Sequence, residues 1–123
     1  MGYRLGTVGL VTGRILLDGW QGESGPATVY VRLLDTSRAD APAVKVSTLT
    51  LKEVALDVME QKGIDFALDI TGVDPHAYYT VFVLVDLNGD GQSSRGDYQS
   101  MQAYPVLTHG HGNWVEVYAK RIP

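Results

Sequence analysis

The sequence predicts an all-β domain, an antiparallel immunoglobulin-like β-sandwich of seven to eight strands. Three observations carry this. Apolar and polar residues alternate through most of the chain, the alternating runs are bounded by Gly, Pro, Asn and Asp, and no stretch sustains the roughly 3.6-residue period of a helix. At 123 residues the chain fits one domain, 1–123, and can bury roughly two-thirds of its unfolded surface.

The first strand runs from about Val8 to Leu17 and closes at Asp18-Gly19. The second, Ala27 to Thr36, sets Val29, Val31 and Leu33 against Tyr30, Arg32 and Leu34, with Pro26 at its edge, where a missing N–H does least harm. A loop at Ser37 to Pro42 follows. Val44 to Val58 is rich in Val, Thr and Leu and reads as one long strand or two. A short helix near Leu51 to Glu60 competes, because Leu51, Val54, Ala55 and Val58 also fit a helical face. Strand is preferred, since Ile64, Phe66, Leu68 and Ile70 alternate in the next segment after a turn at Gln61-Lys62-Gly63, as a hairpin would. After Asp74-Pro75, Ala77 to Asp86 is apolar on both faces, the pattern of a central strand. Met101 to Thr108 and Asn113 to Lys120 form a last pair around His109 to Gly112.

The formal charge is -4, and the 10 Lys and Arg are scattered singly, so no basic stripe is offered to nucleic acid. The absence of cysteine removes disulfides, thiolate metal sites and a thiol nucleophile. No stretch approaches the roughly 20 apolar residues of a membrane span. The opening MGYRLGTVGLVTG lacks the basic end, apolar run and cleavage site of a leader, so a soluble chain, compatible with the trimmed form of an exported protein, is expected.

One segment carries chemistry. Asp86 to Asp97, DLNGDGQSSRGD, fits the twelve-residue calcium loop, which presents oxygens at positions 1, 3, 5, 7, 9 and 12 around a glycine at 6. Asp86, Asn88 and Asp90 take the first three ligand positions and Gly91 the turn. Gln92 would give its carbonyl, Ser94 would act directly or through water, and Asp97 closes the loop. A hard cation needs such an all-oxygen set, and calcium suits it better than magnesium, which demands a tighter octahedron. The competing reading is a solvated Asn-Gly-Asp-Gly hairpin turn; the simultaneous match at positions 1, 3, 5, 6, 9 and 12 favours the ion. A strand precedes the loop and Pro105 follows it, so a paired helical sensor is not expected. The loop resembles those of dockerin modules, which also end in Asp.

Arg95-Gly96-Asp97 spells an integrin-recognition tripeptide, read as chance because Asp97 already serves as a ligand. His109 and His111 could face one metal, but no third ligand is close in sequence and a flexible connection is the better reading. Trp20 is expected to pack over the end of the sandwich. Without a cysteine, a G-x-S-x-G elbow or an H-E-x-x-H pair, the chain is expected not to be an enzyme.

Two stretches, LLDTSRADAPA at Leu33 to Ala43 and YPVLT at Tyr104 to Thr108 after a tyrosine-rich strand, resemble the YbaY/YscW-type lipoproteins, which include pilotins of type III secretion. The similarity runs from about Gly13 to the end. It implies an immunoglobulin-like sandwich that is non-enzymatic, exported to the periplasm or cell surface, and active through contact with envelope proteins. The family's lipidated cysteine has no counterpart here, and the acidic loop stands where the family has a short hairpin. The expected function is a calcium-braced β-sandwich that binds proteins or serves envelope structure, with a pilotin-like chaperone of one envelope client as the alternative.

Overall fold

The computed structural model describes residues 8–123; most of the opening stretch read above for a leader lies outside them. The chain forms β1 (Val8–Asp18), β2 (Ala27–Asp35), β3 (Val44–Val54), α1 (Leu56–Lys62), β4 (Ile64–Thr71), β5 (Tyr79–Asp86), β6 (Tyr98–Ser100), β7 (Pro105–Val106) and β8 (Trp114–Arg121). The all-β class and the strand number are as expected. The sandwich takes the form of one mixed sheet in the order β3-β2-β5-β6-β8-β1-β4, wrapped into a near-barrel, with β7 joined to β5. Its pairs are antiparallel except β1 with β8, which is parallel from Thr12↔Trp114 to Asp18↔Lys120. Alternation of side chains is blind to strand direction, so this pair could not be read from the pattern.

The inward positions are those the alternation marks. Ala27, Val29, Val31 and Leu33 of β2, and Phe66, Leu68 and Ile70 of β4, are buried, as are Val11, Ile15 and Leu17 of β1. Fully burying such a side chain contributes about 1.5–3 kcal/mol. β5 pairs with β2 along its whole length, and its other edge meets β6 at Leu84 and Val85 and β7 at Tyr79 and Thr80. Val83, Leu84, Val85 and Asp86, which point to alternate faces, are all buried.

Three local expectations are corrected. Leu56 to Lys62 is helical, not strand: Leu56 and Met59, three apart, turn into the core, Asp57 sits in the first turn, and Gly63 at φ 79° ends the helix. The segments either side of the Gln61-Lys62-Gly63 turn make no hairpin. β3 pairs with β2 and β4 with β1, so α1 carries the chain between opposite ends of the sheet. Nor do Met101 to Thr108 and Asn113 to Lys120 pair. Only Pro105–Val106 of the first is strand, on β5, while β8 lies between β6 and β1. Side chains replace the ladder where it lapses: Val83 N–H donates to Ser100 Oγ at 3.0 Å and Tyr104 N–H to Thr80 Oγ1 at 2.8 Å.

β3 and β4, the two ends of the sheet, stand side by side without a main-chain ladder. Ser47 Oγ–H donates to the Asp69 carbonyl at 2.8 Å across this seam. Val44 and Val46 on β3 are exposed.

Gly13 lies where the sheet leaves no room for a side chain. A Cβ there would lie 2.0 Å from the Val115 carbonyl oxygen and 2.8 Å from the Phe66 ring. Gly13→Ala should therefore destabilise the fold at or above the upper end of the about 1–3 kcal/mol usual for overpacking. Urea unfolding checks this; an unchanged midpoint would contradict the packing of Phe66 over β1.

Candidate functional site

The acidic loop leaves the buried end of β5 and re-enters the sheet at β6. Asp86 and Asp97 are buried and Asp90 is exposed, and each offers a carboxylate oxygen within 4.8 Å of the others. The loop amides turn inward to these groups. Asp86 accepts from Gly89 N–H at 3.0 Å and Gly91 N–H at 2.7 Å. Asp90 accepts from Gln92 N–H at 3.0 Å. Asp97 accepts from Leu87 N–H at 2.9 Å, Ser94 N–H at 3.1 Å and the Ser94 hydroxyl at 2.9 Å. These bonds are what allow two carboxylates to be desolvated. Gly89 and Gly91, at φ 77° and 74°, supply the left-handed turns that aim successive amides inward.

Of the six residues predicted as ligands, the fold converges Asp86, Asp90 and Asp97. Asn88 and Ser94 face each other, Asn88 Nδ2 donating to Ser94 Oγ at 3.1 Å, while the Asn88 side-chain oxygen accepts from Asp90 N–H at 3.4 Å. Gln92 is exposed and contributes its N–H to the Asp90 bond. The donor set is oxygen throughout, which fits a hard cation such as calcium. Asp97 is one methylene shorter than a glutamate, and the backbone compensates: Gly96 N–H donates to the Ile122 carbonyl at 3.0 Å and Ile122 N–H to the Asp97 carbonyl at 2.8 Å. The chain end beyond β8 thus holds Asp97 inward. No local sequence signal announces this contact.

The remaining candidates disperse. Asp97 of the Arg-Gly-Asp tripeptide has its carboxylate engaged inside the loop. His109 stacks on Tyr78 with ring centroids 3.8 Å apart, while among the described residues the acidic trio is the metal-type cluster that forms. Trp20 packs against the core, partly buried, and its indole N–H donates to the Glu23 carbonyl at 3.0 Å.

A second polar cluster, absent from the sequence reading, adjoins the loop. The Tyr98 ring is buried, and its hydroxyl donates to Glu23, at 2.9 Å from Oε1 and 3.1 Å from Oε2. Gln21 N–H lies 3.1 Å from Glu23 Oε1 and 3.3 Å from the Tyr98 oxygen, and Arg121 Nε is 3.5 Å from Glu23 Oε2. Burial, then the bond to the Glu23 carboxylate, pushes the Tyr98 phenol up to about 12. Burial alone would raise Glu23, but its own amide, the Tyr98 hydroxyl, the Gln21 amide and Arg121 outweigh it and hold the carboxyl below its ordinary 4.5. A lowered folded pKa adds stability above the unfolded value and loses it as pH falls through the folded one. The stability difference between wild type and Glu23→Gln should therefore be largest at neutral pH and shrink below 4.5. Urea titrations across that range check it; a pH-independent difference would count against the arrangement.

No family model and no curated protein sequence matches the chain. Among solved structures, an alternative pilotin from the type II secretion system of Vibrio cholerae is similar in fold, with a TM-score of 0.76 at 20% identity, over 95% of this chain and 99% of that one.

Proposed function

We propose that this protein is a non-enzymatic, pilotin-like module of the bacterial envelope that binds a segment of a protein client. One observation carries the reading: the likeness to a pilotin extends over nearly the whole of both chains. The resemblance of Leu33–Ala43 and Tyr104–Thr108 to YbaY/YscW-type lipoproteins supports the same class and an exported location. The geometry favours the β3–β4 seam as the docking place, because both strands are sheet ends with unladdered edges and Val44 and Val46 stand exposed beside them. An extended segment with alternating apolar residues satisfies such an edge by strand addition.

The test uses the full chain immobilised against envelope extract from its own organism. A single client should be retained by wild type and by Trp114→Ala on the outer face of β8, and lost with Val44→Asp/Val46→Asp. Retention by the double variant, or no specific client, would overturn the reading.

A second reading concerns the acidic loop, and the convergence of Asp86, Asp90 and Asp97 supports it. Calcium held there, with Asn88, Gln92 and Ser94 completing the oxygen set, acts as a structural brace between β5 and β6 and not as a sensor, since the loop joins strands. Affinity on the order of 10⁻⁴ to 10⁻³ M suits an exported module. At millimolar calcium, about one- to tenfold over that constant, binding contributes about 0.4–1.4 kcal/mol, a rise in melting temperature of roughly 2–6 °C. Asp90 is the residue to change, because it is exposed and its carboxylate meets only the Gln92 amide. Asp90→Ala should abolish the calorimetric signal and bring melting in calcium down to the metal-free value with the β fold intact. Neither heat nor thermal shift for wild type at millimolar calcium would sink the brace.

A further inference from the structure

The acidic loop and the β1–β2 connection, residues 19–26, lie far apart in sequence yet are tied to one short piece of backbone. Asp97 and Tyr98 are consecutive and both buried, and adjacent residues entering a strand point to opposite sides. Asp97 turns into the acidic loop, where it accepts from Leu87 and Ser94. Tyr98 turns the other way and meets Gln21 and Glu23 of the β1–β2 connection. The backbone between them is pinned by residues 121 and 122: Tyr98 is paired with Arg121 in the ladder, and Gly96 and Asp97 exchange bonds with Ile122. Arg121 returns to Glu23 from the same strand end. Glu23 also holds Trp20 through its carbonyl.

From this geometry we infer that the two loops open and close as one unit, with Tyr98 and Glu23 as the positioning residues that link them. Ordering the acidic loop fixes the Asp97–Tyr98 backbone, which presents the phenol to Glu23 and settles Trp20. Releasing Glu23 loosens Tyr98, and with it the anchor of Asp97. By reciprocity, whatever steadies one loop steadies the other to the same extent. The link is made by the protein's own hydrogen bonds and needs no ion; only the calcium arm of the test below rests on the brace reading.

Hydrogen exchange on the metal-free chain tests the link directly. Glu23→Gln and Tyr98→Phe should each speed exchange at Leu87, Gly89 and Gly91, whose amides bond to Asp97 and Asp86, by about three- to tenfold, the effect of losing one or two modest hydrogen bonds. Val31, buried in β2, reports global opening and should exchange more slowly than the acidic-loop amides in wild type and variants alike, so that acceleration at the loop reports local opening. In a Trp114→Phe background, where Trp20 is the remaining indole, calcium should shift Trp20 emission with the midpoint seen by calorimetry. Adding Tyr98→Phe should leave calcium heat but remove the emission change. The inference is overturned if the acidic-loop amides are indifferent to both substitutions, or if calcium binds with heat and Trp20 does not respond. Absence of heat in wild type, with the exchange effect intact, removes the calcium brace and leaves the link standing.

Discussion

A carboxylate at the buried end of a central strand sets the terms for one end of this molecule. Asp86, the last residue of β5, is paired with Thr28 of β2 and is buried. A buried anion is tolerated where hydrogen bonds or an ion replace its water. The glycines that follow turn two amides back onto it, and the chain then returns with a second buried carboxylate, Asp97, which collects three donors of its own. The loop is thus organised around two carboxylates withdrawn from solvent.

The return strand is short. β6 must bring Asp97 to the loop and Tyr98 to the opposite side within one step, and after Ser100 the chain departs from the ladder before rejoining β5 at Pro105. Pro105 has no N–H to give, and Ser100 and Thr80 side chains bond to the main chain on either side of the lapse. At the far ends of the sheet, β3 and β4 meet without closing. Lys45 and Lys52, with the register shifts between β2 and β3, temper an edge that would otherwise invite indiscriminate pairing.

Much of this was legible in the residues. The alternation in β2 and β4 identified the inward side chains, because a strand half-buried in a sheet has no other way to satisfy both core and solvent. The doubly apolar run before Asp86 marked β5 as central. Spacing within DLNGDGQSSRGD identified the three carboxylates that the fold brings together. Val44 to Lys62 was harder: its apolar residues satisfy both periods, and the end of β3 was decided by Leu56 and Met59 finding room under the core as a helix. A local preference that is nearly balanced is settled by packing.

What the sequence alone determined is local: the β class, the faces of the strands, and a loop of oxygen donors, since each depends on neighbours within a dozen positions. Pairing across the sheet belongs to tertiary structure. The parallel contact of β1 with β8, the transfer of β4 to the opposite sheet end from β3, and the meeting of Glu23 with Tyr98 and of Asp97 with Ile122 join residues whose separation leaves no periodic trace. Such contacts are selected by burial of the whole core, which lowers the free energy of one arrangement of strands among several that the same alternation allows. The donors of the loop were therefore readable in order, but the backbone that draws Asp97 inward exists only once the last strand has docked.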